Sequence, residues 1–240
     1  MAVINGLSIN IPGATWDAEC IIGSRYPQAA FASLATYGTQ NGRTIMGASP
    51  VAVGAPVQHD YYFTGDANTG GYDLKVTDNI KKTEMVLIRP SAVRSLGMGN
   101  YLGGDVVPQG DTFVFEPAIG RLRVVVGRTA GTAESRLDVA MDTGKFHLAF
   151  FDVSGEAVQV HKMVSGQLVS GALTAVTARA IPSPAKPIMA ARANNTMTDF
   201  LGSVDIAMTG VWSGTNLTAA QKQDMCNVIM EMYGDILPLA

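Results

Sequence analysis

The side chains best suited to acid–base work are six glutamates, at positions 19, 84, 116, 134, 156 and 231, and three histidines, His59, His147 and His161. Cleavage of a glycosidic bond needs two carboxyl groups facing each other across it, one protonated and one ionised. A strand delivers such a set as an E-x-D-x-x-E run, and no glutamate here has partners at that spacing. Glu134 and Asp138 come nearest and read as solvated surface. The histidines form neither H-x-x-x-H nor H-E-x-x-H, the pattern that puts two imidazoles on one helix face for a metal. His147 alternates with Phe146 and Leu148 and is expected to face solvent or one sheet surface. There is no G-x-S-x-G elbow and no Gly-Lys-Ser/Thr phosphate loop. The residues therefore predict a protein that is not an enzyme.

Two groups of residues remain. Asp66, Asn68 and Asp73 cluster around the glycine-rich run Gly65–Gly71, where oxygen ligands for a hard cation such as calcium could gather. The competing reading is that Asp and Asn in a turn bond their own backbone, and no other cofactor is implied. The second group is Trp212 with Arg192, Asn194, Asn195 and Asp199, all in or beside expected loops. A sugar ring needs an aromatic face and forked polar groups at a loop rim, and these residue types supply both. Core packing of Trp212 and an ordinary polar loop at 192–199 are the alternatives.

The elements that would position them are short strands. Runs such as Glu84–Ile88, Thr112–Phe115, Arg121–Val126, Lys145–Phe151, Val158–Lys162 and Val204–Met208 are apolar or alternate, and Gly, Pro, Asn or Asp bound each. The alternating face of the last run extends to Gly210 and Trp212. Asp142–Gly144 and Ser154–Glu156 read as tight turns. Three prolines between 181 and 187 force an extended crossover. One helix is signalled, over 218–233. Thr218 and Gln221 form a capping box, Met225, Val228, Ile229 and Met232 make an apolar stripe, and Gly234 ends it. Ala29–Ala35 reads as a short helix or loop, and Val51–Val57 as an edge strand.

Three ordered segments resemble the end of a laminin G-like or concanavalin-like domain. They are Gly144–Phe151, with Phe146 where the family has an aromatic residue; Val158–Val169, with His161 in a Tyr position and Ser165 before Gly166; and Phe200–Ala207 followed by Trp212 to Gln221. The strand at Lys186–Ala191 departs from the family in ending on Ala rather than Gly, and Gln221 replaces a Glu. The resemblance covers about residues 145–234. It implies an all-β, jelly-roll sandwich of two antiparallel sheets with one C-terminal helix, of the kind found in phage or phage-like particle proteins. Residues 1–60 are expected to be an N-terminal extension or edge segment packed on the sandwich, and 61–240 the sandwich itself.

Bulk properties restrict the partners. The 240 residues are 47% hydrophobic and 15% charged, with a net charge of −3. That is ample core material. Lys81-Lys82 is the only adjacent basic pair, so nucleic acid and anionic membrane are not expected partners. No apolar run reaches the length of a membrane span. Cys20 and Cys226 permit a single bridge, and buried reduced thiols are the simpler reading. The N-terminus lacks the charged start and apolar run of a signal peptide. Together these lead to an expected non-enzymatic structural component of a virion or phage-like particle, such as a tail, fibre, baseplate or head spike, assembled in a host cytoplasm. Its expected partners are its own copies, neighbouring particle proteins and host-surface polysaccharide. A free carbohydrate-binding lectin is the alternative.

Overall fold

The computed structural model describes residues 30–33, 43–46, 50–103 and 107–240. Within them lie seventeen strands, β1 to β17 in chain order, and one α-helix, α1. Every pairing between the strands is antiparallel. The strands make two packed layers.

The first layer centres on β7 (Lys82–Pro90), flanked by β12 (His147–Val153) and β17 (Ser203–Ser213). Beyond β12 lies β13 (Ala157–Val164), then β14 (Gln167–Ser170) and β15 (Thr174–Ala175). The far edge of β17 is shared by β5 (Phe63–Asp66) and β1 (Ala30–Ser33), which pair with β4 (Val57–Gln58) and β2 (Arg43–Met46). The second layer runs β3 (Val51–Gly54), β6 (Gly70–Thr77), β16 (Pro187–Ala190), β8 (Ser95–Gly99), β9 (Asp111–Glu116), β10 (Arg121–Gly127) and β11 (Thr132–Asp138). The β5–β6 hairpin joins the layers at one corner. This is the all-β jelly-roll sandwich of concanavalin or laminin G type.

Three apolar clusters explain why several strands read as unbroken apolar runs. Between the layers sit Val86, Ile88, Phe113, Phe115, Leu122, Val124, Ala149 and Phe151. The alternate residues of the first layer, Met85, Leu87, Leu148 and Phe150, pack outward against Met225, Cys226 and Ile229 of α1 (Ala219–Tyr233). On the outer face of the second layer, Leu96, Val114 and Val125 are covered by Ala193, Met197 and Phe200. A strand buried on both faces loses its alternation. The outer covers, a helix on one side and a loop on the other, account for this.

Local signals fall where the sequence places them. The hairpin between β13 and β14 turns on Ser165 and Gly166, both at positive φ (49° and 78°), as a two-residue turn requires. Thr218 and Gln221 exchange both capping-box bonds, at 3.2 and 2.9 Å. The helix is tied down by a polar network. Lys222 Nζ donates to Asp152 and to the Leu217 carbonyl, both at 2.6 Å. Gln223 bridges the Gly166 carbonyl and the Leu168 N–H. Burial raises the Asp152 pKa, but His161 and Lys222 outweigh it and hold the carboxyl below its ordinary range.

Four expectations need correction or limits. Ala30–Ser33 is a strand, neither helix nor loop, because pairing with the edge of β17 overrides the helix preference of alanine. His147 is buried rather than solvent-facing. Its Nε2 meets the Asp142 carbonyl at 2.9 Å, and burial with Lys162 nearby pushes its pKa down to about 4. β17 does not keep one face throughout. A bulge between Ile206 and Met208 sends Val204 and Ile206 inward but Met208 and Trp212 outward under the helix. Cys20, much of the segment 1–60 and the side chain of Met232 lie outside the described residues.

Candidate functional site

The loop 191–201 leaves β16 and crosses the outer face of the second layer. Its start is fixed by Ala191, at positive φ (65°), whose N–H meets the Gly97 carbonyl at 2.6 Å. Asn68, at the β5–β6 corner, holds its middle. The Asn68 amide donates to the Met197 carbonyl (2.9 Å) and accepts from the Met197 N–H (2.8 Å). Asn195 Nδ2 reaches the Gly103 carbonyl at 2.6 Å, and Asn194 Nδ2 the Pro187 carbonyl at 3.1 Å. Met197 and Phe200 then drop into the apolar patch below.

A depression of about 460 Å³ opens beside this loop. Val53, Pro187 and Met189 give it apolar walls, and Asn68, Asp73, Arg192, Asn194, Asn195 and Thr196 give it polar ones. Arg192 crosses two glycines. A Cβ on Gly54 would sit 2.9 Å from its Nη1, and one on Gly71 would sit 2.8 Å from its Cβ. Nη1 donates to the Asn68 carbonyl at 3.0 Å. The guanidinium also lies near enough to the Asp66 carboxylate to help hold its pKa down, and it lines the depression. A second depression of about 210 Å³ lies across the loop, lined by Arg94, Tyr101, Arg123, Thr198, Asp199 and Phe200 among others. Arg94 stacks on the Phe200 ring, 4.5 Å from its centroid, a cation–π contact.

Arg192, Asn194 and Asn195 thus share one depression with Asn68 and Asp73, while Asp199 stands on the neighbouring one with its side chain 72% exposed. Trp212 belongs to neither. It is 3% exposed, packed beneath α1, and offers no face to a sugar; the bulge in β17 put it there. Asp66, Asn68 and Asp73 have protein partners of their own. Asp66 Oδ1 accepts the N–H groups of Asn68 and Thr69, and its Oδ2 accepts the Thr69 hydroxyl. Burial raises the Asp66 pKa, yet those bonds more than reverse the effect. Asp73 is occupied by the Lys75 N–H and Nζ, both at 2.7 Å. These oxygens face donors already, as residues in a turn do. Among the described residues no group of three His, Cys, Asp or Glu is placed to hold a metal.

Arg94, Tyr101 and Arg123 were not singled out from the sequence. Arg123 had a legible signal, since it alternates with the inward Leu122 and Val124 and so faces outward. Tyr101 and Arg94 join the site only through the folding of loop 191–201 over them.

No protein-family model matches this chain, and no curated protein matches it. Solved structures do. A Trypanosoma rangeli sialidase mutant displaying trans-sialidase activity superposes with a TM-score of 0.58 at 9% identity, over 86% of this chain and 33% of that one. The binding domain of botulinum neurotoxin serotype C1 gives 0.55 at 10% identity, over 84% and 52%. The CBM40 of Ruminococcus gnavus IT-sialidase, bound to α2,3-sialyllactose, gives 0.50 at 13% identity, over 73% and 98%. The chain therefore spans about half of the toxin domain and a third of the sialidase. The likeness is one of fold.

Proposed function

We propose that the protein is a non-enzymatic, glycan-recognising subunit of a virion or phage-like particle, and that loop 191–201 and its two depressions form the recognition surface. The observation that carries the glycan reading is the meeting of Arg192, Asn194, Asn195 and Thr196 around one 460 Å³ depression. Tyr101 beside the second depression supplies the aromatic face that Trp212 does not. Such a surface suits hydroxyl-rich ligands, which bind through convergent polar groups and flat apolar ones. The R. gnavus module with a similar fold is bound to sialyllactose, and the glycan reading of this chain agrees with that.

The non-enzymatic part rests on the acids. Asp73 at the groove is paired with Lys75. Ser170, His161 and Asp152 do form a hydrogen-bonded chain, at 2.8 and 3.1 Å, but Lys222 shares the Asp152 oxygen and ties the set to the helix. Its role is to clamp α1 to the sheet. A glycan array screened with the purified protein tests recognition; binding to a defined polysaccharide is expected, and silence across the array contradicts it. Native mass spectrometry tests the particle role; a symmetric oligomer is expected, and a stable monomer at all concentrations favours a free lectin instead.

A further inference from the structure

The interior holds a constellation that the groove does not use. Lys82 opens β7, Glu84 follows two positions later, and Asp111 opens β9. All three point into the space between the layers, in step with Val86 and Ile88 on β7 and with Phe113 and Phe115 on β9. β7 and β9 belong to opposite layers. All three side chains are fully buried. Lys82 Nζ lies 2.6 Å from Glu84 Oε1, 2.8 Å from Asp111 Oδ1 and 2.9 Å from Asp78 Oδ1. Arg179 Nη2 sits on both Asp78 oxygens, at 2.7 and 2.8 Å, and also touches Asp111 Oδ2. The Phe151 ring centroid is 5.9 Å from Nζ.

Three carboxyl groups face two cations. Burial pushes Glu84 up to about 8, so it carries a proton and the remaining charges balance. Yet Lys82 Nζ, both Glu84 oxygens and Asp111 Oδ1 make no aligned hydrogen bond, despite their short separations. A buried ion pair without such bonds is costly, whereas an amide is neutral and cheaper to bury.

We propose that Lys82 and Asp111 join in an intramolecular isopeptide bond that staples the two layers, with Glu84 as the proton carrier. The Lys82 ammonium passes one proton, through Glu84, to an Asp111 oxygen. The freed Nζ lone pair attacks Asp111 Cγ and forms the C–N bond. Nζ gives up a second proton by the same route, the C–O bond breaks, and water leaves. The ammonium loses two protons, the carboxylate loses one oxygen, and one positive and one negative charge vanish together. No oxidant or cofactor is required. Arg179 at Oδ2 steadies the charge that develops on the carbonyl oxygen. Asp78 stays ionised against Lys82 and Arg179 Nη2 and balances the latter, which leaves Asp111 as the reacting partner. The dry surroundings favour expulsion of water over its return.

Intact-mass spectrometry of the denatured full chain tests this. The chain is expected to be lighter than its sequence by one water. A tryptic digest is expected to contain a branched species joining the Lys82–Arg94 peptide to the Ser95–Arg121 peptide, with no cleavage at Lys82. Asp111→Ala should restore the full mass for its sequence. Glu84→Gln keeps the shape of the side chain and should fold, by circular dichroism, with the bond unformed in most molecules. If Asp111→Ala does not fold, the wild-type mass and digest still decide. A wild-type chain at full sequence mass with no branched peptide overturns the proposal. A branch from Lys82 to another carboxylate overturns the choice of Asp111, and full bond formation in Glu84→Gln overturns the role of Glu84.

Discussion

Replacing Asn68 by alanine removes both hydrogen bonds that hold the backbone of Met197, at 2.9 and 2.8 Å. Each is worth about 0.5–1.5 kcal/mol net, and more where the abandoned partner stays away from water. Met197 is buried and both bonds are part-buried, so about 2 kcal/mol is expected for the pair. With a urea m-value of about 3 kcal/mol per molar, the midpoint should fall by about 0.7 M at unchanged m. Hydrogen exchange provides a local check. The Met197 amide should lose protection in Asn68→Ala, while amides of α1, on the opposite layer, keep theirs. The groove should weaken with the loop, so any glycan bound by the wild type should bind less tightly. An unchanged midpoint with Met197 still protected would refute the idea that Asn68 fastens loop 191–201.

Other perturbations separate core from site. Trp212→Ala empties a large buried volume beneath α1 and should cost about 3–5 kcal/mol in chemical denaturation; weaker glycan binding with stability intact would instead place Trp212 in the site. His147 has its pKa depressed to about 4 by burial, so the unfolded chain takes up its proton first as pH falls. Stability is therefore lost from about pH 6.5 down to about 4, by about 3 kcal/mol in total. Urea titrations across that window should show a smaller loss in His147→Gln. The Cys226 thiol is buried and pushed up to about 12, so in a Cys20→Ser background it should resist a thiol reagent at neutral pH until denaturant is added. Rapid native modification would contradict its place under the helix.

The sandwich was legible because its signals are local. Alternating runs, the Ser165-Gly166 turn and the Thr218–Gln221 box each specify a short stretch of backbone, and the structure keeps them. What escaped were effects of non-local contact. The bulge in β17 reverses the faces of Met208 and Trp212, and nothing between Val204 and Trp212 announces the extra residue. Ala30–Ser33 becomes a strand only because the edge of β17 is available. The groove was half legible. Arg192, Asn194 and Asn195 are polar residues in a recognisable loop, but the aromatic beside them is Tyr101, from a distant segment. The ionic cluster was hidden for the same reason, since Lys82, Asp111 and Arg179 are separated in sequence and meet only when the layers close.

Backbone chemical-shift mapping decides whether loop 191–201 is the proposed recognition surface. The isotope-labelled chain, 25.2 kDa, would be titrated with the strongest ligand from a glycan array. Shifts should concentrate on Asn68, Asp73 and Arg192–Thr196, extend to Tyr101, and largely disappear in Arg192→Ala. Shifts centred on α1 or on the outer strands β14 and β15, with loop 191–201 unmoved, would contradict the account.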